Sequence, residues 1–157
     1  MKQNYIIENL NGVAQLTAGS KQGEFYATKA KNAKPVTVVP VSEVFGKEEL
    51  ERMMLLVTPE KKQCYRTAQK LAMSFEGIEY VEGEVGVKGT GISVPHAFNR
   101  KGDKYFDMTL EVALNANVSA EDYVSILELP SEKVADNVYE LKRWTDLIPY
   151  EYENGWR

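Results

Sequence analysis

KQCYRTAQKLAMSFEGIEYVEGEVGVKGTGISVPHAFNRKGDKYFDMTL, residues 62–110, holds the only cysteine of the chain, Cys64, and the only histidine, His96. Asp107 lies further along the same stretch. A thiol, an imidazole and a carboxylate are the parts of a nucleophilic cysteine site, in which a base activates the thiol and an acid orients the base. Sequence order alone does not bring them together, so the local structure has to.

The cysteine end predicts a helix. Cys64, Ala68, Leu71, Ala72 and Phe75 recur at helical spacing and form one apolar face, with Cys64 at its N-terminal end. Pro59 cannot lie deep in a helix, so the helix starts at or after it. Starting at Pro59, with Thr58 as N-cap, it would hold Cys64 more than a turn inside. Starting near Gln63, it would set Cys64 beside the free backbone N–H groups and the positive end of the helix dipole. Periodicity is compatible with both.

The histidine end predicts a strand hairpin. Ile92, Val94, His96 and Phe98 alternate on one face of ISVPHAFNR, and KYFDMTLE is the next strand. With Lys101-Gly102 as a two-residue loop, Arg100 pairs with Asp103, Phe98 with Tyr105 and His96 with Asp107. Opposed residues have Cβ atoms about 4.5–5.5 Å apart. The carboxylate would then lie beside the imidazole. A loop longer by one residue would turn Asp107 to the other face unless a bulge restored the parity.

A helix carrying Cys followed by strands carrying His and Asp resembles the core of the transglutaminase-like superfamily, which shares a papain-like catalytic arrangement. QCYRTA resembles that family's Cys-Tyr-x-x-Ala segment and YVEG its following strand. HAFN and KYFDMT resemble its His-Ala-(aromatic)-Asn and Asp-x-Thr segments. The likeness covers about residues 62–110, with Phe98 where Trp is commoner and Met108 where Pro is commoner. It implies an α+β, papain/transglutaminase-like core, with Cys64 as nucleophile, His96 as base and Asp107 as orienting acid. It also implies a hydrolase or acyltransferase acting on an amide, thioester or ester, with a protein or peptide as substrate and no cofactor. Gln63 is the one side-chain candidate for an oxyanion donor.

Composition fits that frame. The chain has 157 residues, 43% hydrophobic and 27% charged, ordinary for a soluble domain. This predicts one domain, divided into a β-rich part plus a helix over 1–57, a catalytic core over 58–111 and a helical part over 112–157. MKQNYIIENLNG lacks a basic start followed by an apolar run, so no signal peptide is expected. No apolar stretch approaches the ~18 residues of a membrane span. A single cysteine excludes an internal disulfide and a multi-cysteine zinc site, and fits a reducing, cytoplasmic compartment. The net charge of −4 argues against non-specific nucleic-acid binding.

Along the chain, YIIEN, GVAQLTAG, EFYATKAK and KPVTVVPVSEVF read as strands punctuated by Gly12, Gly19 and Gly23. Lys29, Lys31 and Lys34 read as the solvated edge of a strand, with a nucleic-acid patch as the rival reading. KEELERMMLLV predicts a helix whose Leu50, Met53, Met54 and Val57 face the core. Ser119-Ala120-Glu121-Asp122 resembles a capping box, opening a short helix through Leu127. SEKVADNVYELKRW predicts a last helix with Ser131 as N-cap and a stripe of Val134, Val138, Leu141 and Trp144. The aromatic, acidic end IPYEYENGWR would pack across the surface or bind a partner.

Taken singly, the cysteine is explained as a small core residue and the histidine as a satisfied structural one. Together, on inward faces of adjacent elements with a carboxylate in register, they point to a thiol site. Energetics explain why the histidine matters. A free cysteine is only a few per cent thiolate at neutral pH. Exposed charges such as Lys61, Lys62, Arg66 and Lys70 contribute about 1 kcal/mol each before screening, and a helix N-terminus about 0.3–2 kcal/mol. Only a close imidazolium supplies the several kcal/mol that full activation requires. The alternative class is a non-catalytic protein-binding module with the same fold.

Overall fold

The computed structural model describes residues 4–87, 89–113 and 123–156. The hairpin of β2 (Ile78–Val87) and β3 (Ile92–Lys101) lies in the middle of a five-stranded antiparallel sheet. Its order is β1 (Lys34–Val36), β5 (Tyr123–Leu129), β2, β3, β4 (Lys104–Phe106). The sheet curls. Past β1 the chain crosses to the opposite edge, where Val38 bridges to Tyr105 and the Val39 N–H donates to the Tyr105 carbonyl at 2.9 Å. The architecture is α+β, as expected.

The curl buries both faces of β2, so it lacks the alternation of a half-exposed strand. On one face Val81 and Val85 join Val36, Val38, Phe98 and Tyr123 in a small core. On the other, Tyr80 and Ala97 pack with Ala68 and Ala72 of helix α4 (Cys64–Ser74). Helix α3 (Lys47–Val57) packs Met53 and Val57 on Leu71, Phe106 and Met108. The expected apolar faces of α3 and α4 are therefore the observed ones.

Three expectations are corrected. The first concerns the N-terminal part, which is helical rather than β-rich. Helices α1 (Tyr5–Leu16) and α2 (Lys21–Asn32) replace the strands read there, and only the three residues of β1 remain of them. Local caps decide it. The Asn4 side chain accepts from the N–H groups of Ile6 and Ile7, and Ser20 accepts from that of Gly23. Ile6 and Leu10, four apart, then enter the core. Gly12 and Gly23 lie inside these helices rather than between strands. A Cβ on Gly23 would stand 2.3 Å from the Thr17 carbonyl oxygen, so this glycine lets the two helices turn tightly.

The lysines fall differently in consequence. Lys29 is buried against Phe25 and Tyr26, and Lys34 pairs with Glu128 at 3.4 Å. Lys34 lies on the edge strand β1, but Lys29 and Lys31 belong to helix α2, so the three do not form the strand edge expected.

The second correction concerns Tyr123–Leu129, which is a strand and not a short helix. Ser119 to Asp122 lie outside the described residues. The run YVSILEL is buried at almost every position because it is inserted between β1 and β2. A strand buried on both faces shows no period to distinguish it from a helix.

The third concerns KYFDMTLE, of which only Lys104–Phe106 is strand; a wide helical turn, Thr109–Ala113, follows. Asp107 ends the strand by accepting the Leu110 N–H at Oδ1, 3.1 Å away. At the C-terminal end, α5 (Ser131–Leu141) forms where a helix was expected, but Pro130 rather than Ser131 is its N-cap and left-handed Lys142 ends it before Trp144, which stays partly exposed. The last segment packs onto the molecule through α6 (Ile148–Glu153), with Tyr152 edge-on to Phe25 at 5.0 Å and Trp156 against the core. No helix among the described residues is long and apolar enough to cross a membrane.

Candidate functional site

Helix α4 begins at Cys64, with Gln63 as N-cap. Of the two starts the periodicity allowed, the later is the observed one. Lys62 has a φ of 63° and Thr58 one of 51°, left-handed conformations that stop a helix from extending back to Pro59. The first intrahelical bond runs from the Thr67 N–H to the Gln63 carbonyl at 2.9 Å. The N–H groups of Cys64, Tyr65 and Arg66 thus fall in the first turn, where the helix provides no acceptor. Gln63 itself is exposed, and its side chain makes no capping bond.

The helix is tied to the sheet one turn later. Asn99 Nδ2 on β3 donates to the Ala68 carbonyl at 2.9 Å and to the Glu79 carbonyl at 3.1 Å. Cys64 is near enough to His96 to act on the imidazole electrostatically and to raise its hold on the proton.

His96 is held from its other side by Asp107, with Nε2 and Oδ2 2.7 Å apart. Both side chains are buried. That contact leaves Nδ1 as the nitrogen for the thiol. The ring stacks on Phe98, centroids 6.3 Å apart, and meets the edge of Tyr123 at the same distance. The three residues singled out in the sequence are therefore brought together.

The register that does so differs from the one expected. Lys101 pairs with Lys104, Arg100 with Tyr105 and Asn99 with Phe106, so Gly102-Asp103 is the loop. Gly102 has a φ of 61°, as the first central residue of a type II′ turn requires. The shift is by an even number of positions, so parity is kept. Asp107 falls diagonal to His96 rather than opposite it and remains on the same face.

Electrostatics favour a charged imidazole. Burial alone would push His96 toward the neutral form. The charge and hydrogen bond of Asp107, then the influence of Cys64, outweigh burial and raise the imidazole to about 10. A proton taken from the thiol therefore has a stable resting place on His96.

Two further residues belong to the site. Tyr123 Oη donates to Asp107 Oδ2 at 2.5 Å. The segment's apolar pattern concealed this tyrosine, because a helix over 123–127 would not have aligned it with β2. Gly83 is the direct partner of His96 across the β2–β3 ladder. Its only sequence signal was a glycine inside a strand, which marks a close backbone approach.

Tyr123→Phe tests the first of these. It deprives a buried carboxylate of one donor and is expected to lower stability by about 1–3 kcal/mol in urea unfolding, with alkylation of Cys64 slowed at the same time. A variant as stable and as reactive as the parent would show that the hydroxyl does not support Asp107.

On the helix-covered face, Glu82 is fully buried. It accepts from the N–H groups of Leu147 and Ile148 at 2.7–3.1 Å and from Tyr80 Oη at 2.9 Å. Burial pushes its carboxyl up to about 7 against the pull of those bonds. This is an anchor for the start of α6. Among the described residues, no group of three or more His, Cys, Asp or Glu side chains could hold a metal ion. The chain matches no family model, and has no significant match among curated proteins or solved structures.

Proposed function

We propose that the protein is a thiol-dependent hydrolase or acyltransferase with a papain/transglutaminase-like core, acting on an amide, thioester or ester carbonyl of a protein or peptide. The observation that carries this reading is the buried His96–Asp107 pair, with Cys64, the first residue of helix α4, acting on the imidazole.

The Cys64 proton passes to His96 Nδ1, and the thiolate attacks the carbonyl carbon. The negative charge on the carbonyl oxygen is received by first-turn N–H groups of α4. His96 returns the proton to the leaving amine, alcohol or thiol, and a Cys64 acyl-thioester remains. Water, or an amine in the transferase case, then gives its proton to His96 and attacks the thioester, releasing the product and restoring the thiol. Asp107 keeps one imidazole nitrogen bonded throughout, which fixes the ring orientation that each proton transfer needs.

The test is alkylation by iodoacetamide. At about pH 6 an ion-paired Cys64 reacts, whereas an ordinary thiol is almost wholly protonated. His96→Ala is expected to slow the reaction at that pH by about tenfold or more. Reaction only above about pH 8, unchanged by His96→Ala, would support the binding-module alternative.

A further inference from the structure

Strand β3 is paired along one side only for most of its length. With β2 it pairs from Ile92 to Lys101, but β4 pairs only with Asn99, Arg100 and Lys101. Among the described residues, no strand continues that second edge from Asn99 back to Ile92. Lys101 and Lys104 close the two-residue loop, so Lys101 and Asn99 aim their N–H and C=O groups at β4. By alternation, Ala97, Pro95 and Ser93 aim theirs at the same edge. Pro95 agrees with this direction, since it has no N–H to give to the β2 ladder. Among the described residues, no backbone bond outside the ladders engages Ser93 or Pro95.

The side chains of this stretch suit an extended ligand. Ile92 and Val94 share the face of His96 and are 60% and 42% exposed; Val87, opposite Ile92, is 44% exposed. Edges that are to stay unpaired are blunted with charge, whereas these exposed side chains are apolar. His96 lies one same-face step beyond Val94, about 7 Å along the strand. Helix α4, which begins at Cys64, packs with Ala97 on the opposite face, and the two faces of β3 meet at this open edge. Pro95 offers a carbonyl but no N–H, and β4 closes the edge at Asn99, so the open length fits a few residues of peptide and not a second sheet.

We infer that the edge of β3 at Ile92–Pro95 binds the acyl donor as a short extended peptide, paired to the Ser93 backbone and resting apolar residues on Val94 and Ile92. This rests on the hydrolase or acyltransferase reading above and names how its substrate is held. Main-chain pairing supplies the affinity and the apolar contacts the selectivity.

The test is titration of the full Cys64→Ala chain with the capped peptide acetyl-Leu-Ser-Leu-Ser-Leu-amide, followed by amide NMR shifts. Its leucines fall on one face whichever way it runs along β3. Saturable shifts are expected at Ser93, Val94 and His96, with the Ser93 amide proton moving downfield as it gains an acceptor. Replacing the leucines by asparagine, or methylating the peptide's backbone nitrogens, is expected to weaken binding at least about tenfold, the first through lost apolar contact and the second through lost pairing. In the parent, saturating peptide is expected to slow iodoacetamide alkylation of Cys64. No saturable shift at Ser93, equal binding of the methylated peptide, unchanged alkylation, or self-association of the chain through the same edge overturns the assignment. Because binding is read in Cys64→Ala, its failure is separate from a failure of the thiol chemistry, which alkylation of the free parent near pH 6 reads.

Discussion

Asp107→Asn is expected to lower stability at neutral pH by about 3–5 kcal/mol and to flatten the dependence of stability on pH between about 7 and 10. The parent protein binds the His96 proton up to about pH 10, whereas the unfolded chain releases it near 6.5. Over that interval the native state holds more protons than the unfolded state, so stability falls as pH rises. The His96 contribution is complete below about 6.5 and is lost on passing through 10. Glu82, raised to about 7, also loses its contribution as pH rises, but over a lower window that begins near the ordinary carboxyl value. The interval from about 7 upward therefore belongs mainly to the histidine.

Asparagine removes the charge that overcomes the burial of His96 and keeps a single oxygen, which can accept from Leu110 or from Tyr123 but not from both. The variant should fold and lose its slope. Urea midpoints at a series of pH values measure this, and iodoacetamide alkylation near pH 6 should fall in parallel. Parallel stability curves for parent and variant would mean that Asp107 does not hold the proton on His96, and the proposed mechanism would lose its orienting acid.

The site was more legible than the fold, for a physical reason. Cys64 and His96 are the single representatives of their types, and they and Asp107 lie in segments with a clear period. The hairpin loop was misplaced, yet the slip was even, and strand parity forgives an even slip. The helical start at Cys64 could not be read, because it depends on Lys62 and Thr58 adopting left-handed backbone, which no pattern of apolar residues reports.

The N-terminal misreading has another cause. YIIEN and EFYATKAK carry aromatic and β-branched residues that suit strands, and glycines stand between them. What makes them helices is the Asn4 and Ser20 caps together with burial of Ile6 and Leu10 against a sheet built from residues far along the chain. Tyr123–Leu129 failed for the complementary reason. Its central place in the sheet erases the alternation that would have announced a strand, and with it went the only clue to Tyr123 as a support of Asp107.

Gly83→Ala is expected to be the most damaging single-methyl change in the protein. On β5 the register slips between the partners of Glu82 and Gly83, Leu127 and Ser125, leaving Ile126 as an extra residue. The bulge presses β5 backbone onto Gly83. A Cβ there would stand 1.9 Å from the Val124 carbonyl oxygen, 2.9 Å from its carbon and 3.2 Å from the Ser125 Cα. All three are backbone atoms, so no rotamer change relieves the overlap, and β5 itself must move. Its first residue, Tyr123, holds Asp107, and Gly83 is the ladder partner of His96, so displacement would reach the site directly. A loss on the order of 4–5 kcal/mol is expected, with partial unfolding at ambient temperature. Gly12→Ala in α1 is the control. Its Cβ would meet nothing within 4 Å, and relief of backbone entropy in a helix should raise stability by about 0.5–1 kcal/mol. Thermal unfolding of the two variants beside the parent should move in opposite directions. Equal midpoints for Gly83→Ala and the parent would show that the two strands do not approach this closely, and the placement of His96 against β2 would have to be abandoned.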